Sequence, residues 1–121
     1  MPLLNLDTHV LIYALRGSLK PRERELLSGD TWSISAIVLW ELARLAQIGR
    51  VTVDLDDREV NRGLTGLHVW PLDLAIARAS TRLDFRGDPA DELIAATSIQ
   101  HRIPLVTRDR RIRRSRIVPL A

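Results

Sequence analysis

Residues 88–107 read DPADELIAATSIQHRIPLVT. Asp88 followed by Pro89 is a helix opening, with proline where the missing N–H is not needed, and Pro89–Gln100 carries a helical pattern. Ile103–Thr107 (IPLVT) is short, apolar and rich in branched residues, as a buried strand is. A helix that turns directly into a strand is the closing half of a crossover, and crossovers join parallel strands. The same alternation recurs along the chain. Leu3–Leu6, Thr31–Ile34 and Leu67–Leu72 are strand candidates, with a late one at Ile117–Leu120. Helical periods fall at Val10–Leu15, at Pro21–Leu27, and at Ala36–Ile48 between a Ser35 cap and a Gly49 stop. Two more follow: an Asp56-capped stretch with Val60, Leu64 and Leu67 at i, i+4, i+7, and an Asp73-capped Leu74–Leu83. The pattern predicts an α/β fold, a three-layer α/β/α sandwich with a mainly parallel sheet of about five strands.

The 121 residues suit a single domain spanning 1–121, and a composition of 45% hydrophobic and 27% charged residues can bury a core. No repeat or linker divides the chain. Cysteine is absent, which excludes disulfides, thiolate nucleophiles and Cys-ligated zinc and fits a reducing compartment. No apolar run is long enough to cross a bilayer, and the start, MPLLNLD, lacks the pattern of an export signal. The expectation is a cytoplasmic protein with no membrane partner.

The formal charge of +3 is unevenly spread. The run Arg108–Arg116 (RDRRIRRSR) holds six arginines against Asp109, a net of +5, which leaves −2 for the rest. Lys20 is the only lysine among 18 basic residues, and arginine forks suit phosphate better than an ammonium does. Arg108, Arg110, Arg111, Arg113 and Arg114 are therefore candidate contacts for a polyanion such as RNA. The blander alternatives are a solvated tail or a patch that pairs with an acidic protein.

In open parallel sheets, ligands bind beyond the carboxyl ends of the strands. Asp7 follows the first strand, Asp109 follows the fourth, and Asp91 lies in the first turn of the helix before it. Glu41 is placed in the middle of an apolar stripe formed by Ile37, Val38, Leu45 and Ile48, where a carboxylate needs a partner, a raised pKa or an opening to solvent. Each acid has an ordinary explanation: Asp7 as a helix cap, Asp91 as a complement to the helix dipole, Asp109 as a turn former and Glu41 as an ion-pair partner of an arginine. Those explanations do not account for all four lying at one sheet edge. If they meet, mutual repulsion requires a hard cation, and an all-oxygen set suits Mg2+ or Mn2+. His9, His68 and His101 show no zinc-ligand spacing. A divalent ion held by carboxylates is suited to phosphodiester hydrolysis, and the arginine run would hold the strand on either side of the cut.

Four segments, LLNLDTHVLIYAL (3–15), SISAIVLWELARLAQIGRV (33–51), DPADELIAATSIQHRIPLVT (88–107) and RDRRI (108–112), resemble in order and spacing the PIN-domain ribonucleases of the VapC toxin type. The resemblance implies a catalytic and metal-binding set of Asp7, Glu41, Asp91 and Asp109, with Thr8 and Thr107 in support. It implies Mg2+- or Mn2+-dependent endonucleolytic cleavage of RNA, growth arrest, a small cognate antitoxin that blocks the site, and a homodimer. One departure is Glu92, which follows Asp91 where the family often has arginine and adds negative charge beside the metal.

A phosphoacceptor receiver domain needs an aspartate after its third strand and a lysine near the last; here the third strand ends in Pro71, Leu72 and Asp73, and the only lysine, Lys20, is in the wrong segment. A dehalogenase-type phosphatase needs a second acid two residues after Asp7, where His9 stands. The remaining alternatives are a non-catalytic RNA- or protein-binding module with an idle acidic site, and a DNA nuclease of related fold. The first lacks an evident stacking platform, since Tyr13, Trp32, Trp40, Phe85 and Trp70 all read as core residues.

Overall fold

The computed structural model describes residues 3–121. Four parallel strands, β1 (Leu3–Leu6), β2 (Thr31–Ser35), β3 (His68–Trp70) and β4 (Leu105–Val106), form one sheet in the order β3-β2-β1-β4. Between and around them run α1 (Thr8–Leu15), α2 (Pro21–Ser28), α3 (Ala36–Gln47), α4 (Arg58–Thr65), α5 (Leu74–Ser80), α6 (Pro89–His101) and α7 (Arg110–Arg113). The late strand candidate is reduced to a single parallel bridge, Leu120 to Leu105. β3 stops short of Leu72 because Pro71 has no N–H for the ladder.

The central strand explains the layering. Successive strand residues point to opposite faces, and Leu4, Asn5 and Leu6 are all buried, so both faces of the sheet are covered. Asn5 marks the α6 face: its amide Nδ2 donates to the Ile94 carbonyl (3.3 Å) and to Ser98 Oγ (2.9 Å). This cross-link fixes α6 against β1. The buried cluster of Leu4, Leu6, Val10, Leu11, Ile34 and Val38 continues through Leu42, Ile94 and Leu105, and burial of these side chains is the main drive to fold, at roughly 1.5–3 kcal/mol each.

Local signals set the helix ends. Ser35 Oγ caps α3 by accepting the Ile37 N–H. Beyond Gln47 the chain leaves the helix through Gly49, whose φ of +75° suits a residue without Cβ. The cap of α4 is Asp57, one residue beyond the expected Asp56, and it accepts from Glu59 N and Val60 N. Asp88 occupies the cap position of α6 without a side-chain bond. Glu92 Oε2 instead accepts the Gly87 N–H (3.2 Å).

Two packing expectations are corrected. The buried stripe of α3 is centred on Val38 and Leu42, both fully enclosed, while Ile48 is 56% exposed and Glu41 is half-buried at the stripe's edge. Trp40 is 57% exposed rather than in the core. At about 100° per residue it stands some 200° from both Val38 and Leu42, and the Arg44 guanidinium lies 5.6 Å from its ring.

Candidate active site

The carboxyl ends of β1 and β4 lie side by side, because these strands pair through Asn5–Leu105 and Leu6–Val106. That pairing brings Asp7 next to Thr107, a hundred residues away, and Asp7 N–H extends the ladder to the Val106 carbonyl (3.1 Å). Thr107 Oγ1 donates to Asp7 Oδ2 (2.6 Å) and accepts the Asp109 N–H (3.0 Å). One hydroxyl thus positions two of the acids. A second does the same on the other side, where Thr8 Oγ1 donates to Glu41 Oε1 and links the start of α1 to α3.

The ordinary explanations for the acids can now be compared with their surroundings. Asp7 stands at the cap position of α1 but makes no side-chain capping bond. Its Oδ1 is buried and has no hydrogen-bond partner. Asp109 does cap α7, with Oδ1 accepting from Arg111 N (2.8 Å) and Ile112 N (3.0 Å). Glu41 forms no ion pair; among the described residues Arg108–Glu23 is the one salt bridge. None of the four is neutralised by a guanidinium.

Electrostatics shows that the acids sense one another. Burial pushes the Asp91 carboxyl up to about 7, and the charges of Asp7, Asp109, Glu41 and Asp88 add to the effect. Burial also raises Asp7 above the ordinary carboxylate range, against the lowering effect of the Thr107 hydrogen bond. Among the described residues no three carboxylate or imidazole groups close to metal-ligand spacing on their own. The site consists of acids that feel one another's charge and one buried oxygen, Asp7 Oδ1, without a partner. In its chemistry it fits a hard divalent cation, which prefers oxygen donors and would relieve the repulsion.

The arginine run is divided in its duties. Arg108 forms a two-pronged pair with Glu23 (Nε–Oε2 2.7 Å, Nη2–Oε1 2.6 Å) and lies 3.8 Å from the centre of the Tyr13 ring. It is committed to tying α2 to the end of β4 and is not free for RNA. Arg111 donates to the Arg86 carbonyl (2.8 Å), and Arg113 to the Thr107 carbonyl (3.2 Å). Arg110 and Arg114 are exposed. Glu92, held at Gly87, is directed into its own loop. The structural importance of Asn5 and Glu23 is absent from the sequence reading, although an asparagine inside the apolar LLNL was a signal for the first.

Residues 5–117 match the PIN domain family. Ribonuclease VapC22 of Mycobacterium tuberculosis is 33% identical, with 92% of this chain and 90% of that protein covered. Among solved structures, DNA-bound VapBC from Salmonella typhimurium aligns at a TM-score of 0.73 with 23% identity, covering 100% of this chain and 98% of the other. VapBC2 from Rickettsia felis, bound to a DNA fragment from its promoter, gives 0.72 and 23%, with coverages of 98% and 97%. Those two likenesses concern the fold. Together with the family match and the curated relative, they show that this chain belongs to the PIN-domain family and is homologous to VapC-type toxins.

Proposed function

We propose that the protein is a Mg2+- or Mn2+-dependent endoribonuclease, the toxin of a toxin–antitoxin pair, with Asp7, Glu41, Asp91 and Asp109 as the residues that would hold the ion. The observation that carries this reading is the buried, partnerless Asp7 Oδ1, together with an Asp91 carboxyl raised first by burial and then by the charges of Asp7, Asp109, Glu41 and Asp88. Leaving acidic oxygens buried and unpaired costs stability, so a fold that keeps them has a use for them. Similarity to a ribonuclease supports RNA as the substrate class.

When bound, the divalent ion would neutralise the acids, polarise a phosphate and activate a water for attack. The chain's own contribution is placement. Thr107 holds Asp7 and Asp109 in one geometry, and Thr8 holds Glu41. Asp91, raised towards neutrality first by burial, is a group able to carry a proton near pH 7. Exposed arginines of the 108–116 run attract the phosphates of the strand.

The VapBC and FitAB complexes among the structural neighbours support a cognate antitoxin as partner, and a homodimer in the cytoplasm completes the reading. No helix among the described residues is long and apolar enough to cross a membrane. The test is an RNA cleavage assay on purified protein with Mg2+, Mn2+ or chelator, comparing the wild type with Asp7→Asn. Cleavage that requires the metal and is lost by at least a hundredfold in a folded Asp7→Asn protein is the expected result. Metal-independent cleavage, or RNA binding that tolerates Asp7→Asn with no cleavage by either protein, would identify a binding module instead. Single-stranded DNA offered in parallel separates the DNA nuclease of related fold.

A further inference from the structure

Beside the acids lies a hollow of about 340 Å³ between the start of α2 and the segment after β4. Its walls carry Lys20 and Arg22 from one side and Arg108, Arg110 and Arg113 from the other, so segments some ninety residues apart bring their cations together. Glu23 also lines it, but both its carboxylate oxygens are taken by Arg108. Among the described residues that is the one ion pair. Lys20, Arg22, Arg110 and Arg113 border the hollow outside any ion pair, although Lys20 lies close enough to Glu23 to help hold its carboxyl low, and Arg113 uses only one nitrogen of its fork, on the Thr107 carbonyl.

With five cations and one carboxylate side chain around a concave space, the hollow keeps a net positive charge that attracts an anion, and arginine forks match phosphate oxygens. The position of the hollow names the kind of anion. Thr107 is part of its wall and also donates to Asp7 Oδ2 at 2.6 Å. A single residue separates the basic hollow from the acidic centre.

We infer that this hollow is a phosphate subsite, formed by Lys20, Arg22, Arg110 and Arg113, which holds a backbone phosphate of single-stranded RNA next to the cut point. The inference rests on the ribonuclease reading and adds to it two residues of α2, outside the arginine run. The Arg108–Glu23 pair acts as the fixed wall that joins the two halves.

The test uses full-length protein carrying Asp7→Asn, so that RNA is bound without being cut, and a fluorescein-labelled single-stranded RNA in chelator. Anisotropy titrations over a salt series compare this protein with versions that also carry Arg22→Gln and Arg110→Gln, or Arg58→Gln and Arg62→Gln on α4 as a charge-matched control. Each lost phosphate contact lowers the slope of log K against log salt by about 0.7 on a single strand. The hollow variant is expected to lose about 0.7 from the slope, one phosphate's share, and to bind at least tenfold more weakly at low salt, whereas the control keeps the parent slope. In the cleaving background the same hollow pair should raise KM with kcat largely kept. Equal slopes for hollow and control variants, with the parent binding RNA normally, would overturn the subsite and leave the ribonuclease reading intact. A parent that neither binds nor cuts RNA would remove both. A hollow variant that keeps its RNA slope but loses binding of the antitoxin would assign the cations to an acidic protein segment and overturn the inference.

Discussion

Asp91 shows how one side chain can set the pH response of the protein. A carboxyl whose pKa rises on folding, here from 3.8 to about 7, binds its proton more tightly in the native state. The stability it confers is complete below its ordinary pKa and is lost as pH rises through the raised value. In chelator, Asp91→Asn is therefore expected to gain in Tm relative to the wild type as pH goes from about 4 to about 7.5, as measured by paired thermal melts. A constant difference would mean that the Asp91 pKa does not rise on folding. Thr107 works in the opposite direction, because its hydroxyl satisfies Asp7 Oδ2 and the Asp109 N–H. Thr107→Val leaves a buried oxygen and an N–H unpaired. It should cost about 1–3 kcal/mol in urea unfolding and also lower cleavage.

At the scale of elements, most of the framework could be read in the sequence, because strand runs such as LLNL and IPLV and caps such as Ser35 and Asp73 act locally. What could not be read depended on distant partners. α7 was hidden inside an arginine run, although Asp109 as cap and a buried Ile112 hold its single turn. The stripe of α3 moved to Val38 and Leu42, and Trp40 turned outward, because the surfaces that α3 meets are set by α1 and α6 rather than by its own period. The clasp between α2 and the end of β4 joins positions 23 and 108, and no local pattern announces it. Arg108 holds the Glu23 carboxyl below its usual range, so this contribution to stability is present above about pH 4.5 and is lost as pH falls through the lowered value. With side chains only 11% and 29% exposed, the pair should matter: Glu23→Gln is expected to destabilise by about 1–2 kcal/mol at pH 7, with the difference shrinking in acid. Denaturant unfolding at two pH values checks this.

For the whole molecule, the buried acids oppose stability. Strand ends pointed to positions 7, 91 and 109 as candidates, whereas Glu41 was singled out by an apolar stripe that the structure centres elsewhere, on Val38 and Leu42. Which oxygens stay free could not be read from the sequence, since that depends on hydrogen bonds: Asp109 Oδ1 is taken by α7, while Asp7 Oδ1 is left without a partner. The free oxygen and the buried Asp91 carboxyl cost the fold stability, and on the proposed metal-nuclease reading a divalent cation would relieve that cost. A ligand that binds only the folded state stabilises it by RT ln(1 + [L]/Kd), about 2.7 kcal/mol at a hundredfold excess over Kd. For a domain of this size that is a rise in Tm on the order of 10 °C. Mg2+ or Mn2+ added to the chelated wild type should raise Tm in a saturable way. Asp7→Asn should respond much less, although its metal-free Tm should equal or exceed that of the wild type because a buried charge has been removed. Equal responses from both proteins would move the ion to another part of the surface, and a large loss of metal-free stability in Asp7→Asn would make Asp7 a structural residue.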